Sequence, residues 1–141
     1  MIGKKKAYYF DTSIWLDFFE NRDEPNLPKG RWAQELVKRI VMEESKIVYS
    51  DNVLIELNVL GYSYYEINQM FKILRPILIY VESNLKQVGK AKDLALKRDI
   101  PKRDALHAIL ARENKAILVT LDKDFQKLVD IAKPNNPKYL I

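Results

Sequence analysis

The chain has 141 residues and no cysteine, so disulfides, thiolate catalysis and cysteine-ligated zinc are excluded at once. Its 48% hydrophobic and 30% charged residues describe an ordinary globular protein, predicted as a single domain over residues 1–141. A net charge of +5 and a pI near 9.3 favour polyanionic partners, because each phosphate neutralised releases condensed counterions.

Lys4, Lys5 and Lys6 precede an apolar run that ends at Asp11, too short for a secretory core. Ala7 to Phe10 reads as a first strand, and Ser13 to Glu20 as a short helix that Thr12 or Ser13 can cap. Asn21 to Gly30 holds prolines, asparagines and a glycine, hence a loop. Arg31 to Glu44 has Trp32, Leu36, Val37 and Ile40 at helical spacing. Lys46 to Tyr49 is a second strand, with Ser50 or Asp51 capping a helix through Leu60 that Gly61 can stop. Ser63 and Glu66 fit a capping box opening a helix towards Leu74.

Pro76 precedes a third strand, Ile77 to Val81, far shorter than the ~20 apolar residues that span a bilayer. A charged amphipathic helix follows over Asn84 to Arg98. Pro101 suits the first turn of the next helix, which runs to about Asn114. Ala116 to Thr120 is a fourth strand, Asp124 is placed to cap a helix to Ala132, and Tyr139 to Ile141 is a short last strand. Strands alternating with helices predict a three-layer α/β/α sandwich around a parallel sheet, in a soluble, cytoplasmic protein with no membrane partner.

Four acids recur where an apolar run ends or a helix begins: Asp11, Glu56, Asp104 and Asp122. In open parallel sheets ligands bind beyond the carboxyl ends of the strands, at the switch point in strand order. Asp11 ends the first strand and Asp122 follows the fourth, while Glu56 and Asp104 lie in helices whose N-termini face the same rim. Two carboxylates ~4 Å apart repel by roughly 4 kcal/mol at an effective dielectric of ~20, so four together call for a cation. All-oxygen donors suit Mg²⁺ or Mn²⁺ and not zinc. Asp124 stands as a rival to Asp122 for the fourth position. His107, one turn after Asp104, is left aside because a hard-ion site has no need of imidazole. Trp15, Phe18 and Phe19 are read as packing residues.

Phe10-Asp11-Thr12-Ser13, the Glu56 helix ending in Leu60-Gly61, Pro101 to Ala108 and Val119 to Phe125 together resemble the PIN-domain nucleases, and most of all the VapC-type toxins of toxin–antitoxin pairs. The resemblance implies an endoribonuclease that hydrolyses RNA phosphodiesters with metal-activated water. It matches Asp11, Glu56, Asp104 and Asp122 to the metal-site acids, and Thr12, Ser13 and Thr120 to supporting hydroxyl positions. It also implies an RNA substrate, an antitoxin partner and a homodimer. A housekeeping PIN nuclease for ribosomal or transfer RNA, or a non-catalytic RNA-binding module, is the alternative.

Overall fold

The computed structural model describes residues 5–141, so Lys4 of the basic N-terminal run lies outside the described residues. Side chains alternate along each inner strand. In β1 (Ala7–Phe10), Tyr8 and Phe10 join one hydrophobic cluster and Tyr9 the other. Ile47 and Val48 divide in the same way in β2 (Lys46–Ser50), as do Val119 and Leu118 in β4 (Ile117–Val119). Burying both faces needs helices on both sides, which is why these strands read as unbroken apolar runs.

With β3 (Leu78–Val81) and β5 (Pro134–Asn135), the sheet has the order β3-β2-β1-β4-β5, and every pairing is parallel. The chain builds outward from β1 to β3, then returns to the other side of β1 for β4. Strand order therefore reverses between β1 and β4.

One cluster packs beneath α1 (Thr12–Glu20), α2 (Lys29–Met42), α3 (Asp51–Val59) and α4 (Tyr64–Lys72); the other packs beneath α5 (Leu85–Arg98) and α6 (Lys102–Glu113). The three-layer sandwich expected from the sequence is the fold observed. Helix α6 is buried from Asp104 to Ala111 without a break. A helix held between sheet and neighbour has no wet face, so its polar side chains must find partners inside. Gly30 lets α2 approach the end of α1, where a Cβ would lie 2.5 Å from the Asn21 carbonyl carbon.

Local signals hold at several ends. Ser63 and Glu66 form the capping box, and Gly61 adopts φ +109° just past α3. Of the two candidates for the α3 cap, Ser50 takes the Val53 N–H, while Asp51 accepts the Ser83 N–H and hydroxyl at 2.9 and 2.6 Å.

Three expectations are corrected. Helix α1 is capped by Asp11, not Thr12 or Ser13, because Asp11 keeps extended backbone while its Oδ1 accepts the Ile14 N–H at 3.0 Å. No α-helix follows Asp124: Lys123–Leu128 is a 3-10 helix capped by Asp122, whose Oδ1 takes the Asp124 N–H at 2.9 Å. The Asp122 side chain reaches the N–H two residues on, so the cap falls two positions before the expected Asp124. The last strand is Pro134–Asn135, and Tyr139 ends a 3-10 turn that Asn136 caps.

Candidate metal centre

The carboxyl ends of β1 and β4 set the site. Phe10 pairs with Val119, and the Asp11 N–H bonds the Val119 carbonyl at 3.2 Å. Asp11 and Thr120 are thus neighbours across the switch point. The Thr120 hydroxyl donates to Asp11 Oδ2 at 2.6 Å and accepts the Asp122 N–H at 3.0 Å. With Oδ1 on the Ile14 N–H, Asp11 is held by both its oxygens and buried.

Asp104 enters from the first turn of α6, behind Pro101, which caps nothing with its side chain. One carboxylate oxygen each from Asp104, Asp122 and Asp124 lie within 4.8 Å of one another. The fold brings both Asp122 and its rival Asp124 to Asp104. Burial pushes the Asp104 carboxyl up to about 7, and the charge of Asp122 adds to the push. Burial likewise raises Asp11 to about 6, against the pull of its Thr120 hydrogen bond.

Glu56 reaches the same rim from α3 but keeps different company. Its Oε1 accepts the Thr12 hydroxyl at 3.0 Å and lies 2.5 Å from His107 Nε2, and its Oε2 lies 3.4 Å from the Arg103 guanidinium. It is outside the three-carboxylate group, yet its charge contributes to the rise at Asp11. Ser13 is exposed and lines an open groove of about 390 Å³ with Thr12, Glu56 and Arg103. Trp15, Phe18 and Phe19 pack in or against the core, as read from the sequence.

His107, Tyr9, Asn52 and Arg103 surround Glu56 or its imidazole neighbour, and sequence reasoning assigns them no part. The available signal was the Asp104–His107 spacing, three residues apart in a stretch, Asp104 to Ala111, that is otherwise apolar. All-oxygen donors and two buried carboxyls raised above their ordinary range are what a hard divalent cation would relieve. The donor set fits Mg²⁺ or Mn²⁺.

A pH dependence follows. Asp11 and Asp104 titrate near 6 and 7 when folded, against ~3.9 when unfolded, so between those values the folded chain binds more protons. Their contribution is fully present below pH ~4 and is lost as pH rises through 6 to 7. Melting temperature of the metal-free protein is therefore expected to fall from pH 5 to pH 8. Mn²⁺ should reverse much of that fall while releasing protons. Melts that show no such slope, or Mn²⁺ titrations with no buffer-dependent heat, would contradict this.

The PIN-domain family model matches residues 8–131. No curated protein matches the chain. Among solved structures, VapBC2 from Rickettsia felis bound to a DNA fragment from their promoter is 20% identical with a TM-score of 0.65, over 92% of this chain and 98% of that one. VapBC-1 from nontypeable Haemophilus influenzae is 22% identical with a TM-score of 0.65, over 94% and 98%. A toxin–antitoxin complex from Klebsiella pneumoniae is 19% identical with a TM-score of 0.62, over 92% and 97%. At such identities the likeness is one of fold.

Proposed function

The chain belongs to the PIN-domain family of nucleases, and from that membership we propose that it is a divalent-metal-dependent endoribonuclease serving as the toxin of a toxin–antitoxin pair. The observation that carries this reading is the grouping of Asp104, Asp122 and Asp124 beside the switch point, where Asp11 shares the Thr120 hydroxyl with the Asp122 N–H and its charge bears on Asp104; Asp11 and Asp104 are both buried and raised in pKa. Asp11, Glu56, Asp104 and Asp122 would hold Mg²⁺ or Mn²⁺, with the Asp124 carboxylate beside Asp104 as a further oxygen donor. When bound, such an ion supplies a Lewis acid for the phosphodiester and an activated water.

The protein's own groups do the rest. Thr120 and the α1 N-terminus orient Asp11, and Thr12 orients Glu56. The groove at Thr12 carries Arg22 and Arg103, and a second groove of about 380 Å³ at Asp122 carries Lys123 and Lys133. Two basic grooves leaving one acidic centre suit an extended polyanion, with flanking phosphates on the cations.

Ile55, Val59 and Leu60 are exposed beside the first groove, which supports an antitoxin as the covering partner, and the toxin–antitoxin neighbours lend weight to it. We place the protein in the cytoplasm, as a homodimer when free. Among the described residues no helix is long and apolar enough to cross a membrane.

The test is a Mn²⁺ or Mg²⁺ cleavage assay on a panel of structured RNAs. Cleavage should stop in EDTA and return on adding Mn²⁺; cleavage that persists in EDTA overturns the proposal. Growth arrest on expression, relieved by a small co-expressed neighbour, would separate a toxin from a housekeeping nuclease.

A further inference from the structure

His107 is the only histidine in the chain, and it is 1% exposed in a helix sandwiched between sheet and α5. Its two ring nitrogens face different side chains. Nε2 lies 2.5 Å from Glu56 Oε1 and 3.3 Å from Thr12 Oγ1. Nδ1 lies 2.6 Å from the Tyr9 hydroxyl and 3.2 Å from Asn52 Nδ2.

The same Asn52 nitrogen lies 3.1 Å from the Arg103 carbonyl. A carbonyl only accepts, so the Asn52 atom there is the NH₂ group, and its second N–H is turned to His107 Nδ1. Nδ1 must then accept, and the ring proton sits on Nε2, aimed at Glu56. Tyr9 completes the arrangement, with its hydroxyl 2.7 Å from Ser50 Oγ.

The Glu56 side chain has two other partners. Thr12 supplies a neutral hydroxyl, and the Arg103 guanidinium is exposed, so solvent screens its pull. The buried imidazole N–H on a carboxylate is the shortest and driest of the three contacts.

We propose that His107 is a positioning residue for Glu56: Arg103 carbonyl, Asn52 amide, imidazole and carboxylate form one oriented chain that fixes Glu56 at the cation site. What the site is used for rests on the nuclease reading above; the positioning itself does not. Helix α6 then serves the site twice, contributing the Asp104 carboxylate directly and orienting Glu56 through the residue one turn on. A histidine that merely fills the core would need no particular tautomer.

Two measurements test this on the full-length protein. The first is ¹⁵N–¹H correlation of the metal-free protein, where a single histidine leaves no ambiguity of assignment. The expected pattern is a protonated Nε2 and a bare Nδ1; a proton on Nδ1 overturns the proposal. The second is Mn²⁺ affinity by calorimetry. His107→Gln keeps an N–H for Glu56 and should bind Mn²⁺ within about threefold of wild type, whereas His107→Leu should lose 10–100-fold, the usual range for partners behind a metal ligand.

His107→Leu that folds and binds Mn²⁺ like wild type overturns the proposal. If His107→Leu does not fold, His107→Gln decides alone: retained affinity supports positioning, and a tenfold loss overturns it. A wild type that binds Mn²⁺ but cuts no RNA sinks only the nuclease reading. A wild type that cuts RNA with His107→Leu unchanged in Mn²⁺ affinity sinks only this one.

Discussion

Asp104→Asn is expected to reduce RNA cleavage by more than about a hundredfold, since even partners behind a metal ligand cost 10–100-fold. Asparagine keeps the shape of the side chain and removes its charge, so the loss reports the carboxylate itself. The same change should raise the melting temperature of the metal-free protein at pH 8. There the wild type carries an ionised Asp104 that is buried and pushed up to about 7 by that burial and by Asp122. Removing an uncompensated buried charge relieves a cost the site bears for function. The pair of results is diagnostic. A protein that is more stable and inactive has lost its site, while one that is less stable and inactive has lost its fold. Cleavage at wild-type rates by Asp104→Asn would refute the assignment of this residue.

The second large effect is on stability. Trp15 is fully buried in α1, with ring centroids 5.0 Å from Phe10, 4.7 Å from Phe71 and 5.6 Å from Phe19. Trp15→Ala should cost about 3–5 kcal/mol, by lost transfer energy and the cavity left among three aromatic rings. That is a large share of a typical stability of about 5–15 kcal/mol, and for this length it lowers the melting temperature by on the order of 10 °C.

The buried indole Nε1 has no hydrogen-bond partner among the described residues. Trp15→Phe keeps a ring and removes that orphan donor, so it should cost well under half as much as alanine. Thermal melts of the two variants check both statements, and an alanine loss below about 1 kcal/mol would refute the packing account. Helix α1 also carries Asp11 at its N-terminus, so cleavage by Trp15→Ala should fall with the folded fraction and not per folded molecule.

Much of this was legible before the fold was known. Asp11 and Asp122 stand out as acids following apolar runs and Asp104 as an acid opening a helix, and a parallel sheet leaves such ends on one rim. Glu56 stood out too, but its surroundings did not, because its partners come from α1 and α6 and not from its own helix. The cap of α1 falls on Asp11 and not on the neighbouring hydroxyls for a related reason: Asp11 serves as cap and site residue together.

The sequence by itself determined the three-layer sandwich, the order of its strands and helices as far as β4, and the acids at its rim. These follow from burial periodicity and from caps that act within about four residues. Only the tertiary structure decided that β4 lies beside β1, that Asp122 and Asp124 both reach Asp104, and that Glu56 meets a buried histidine. Such pairings join residues as far apart as the 109 positions between Asp11 and Thr120. Donors and acceptors at that separation meet only through strand order, which a local pattern does not encode.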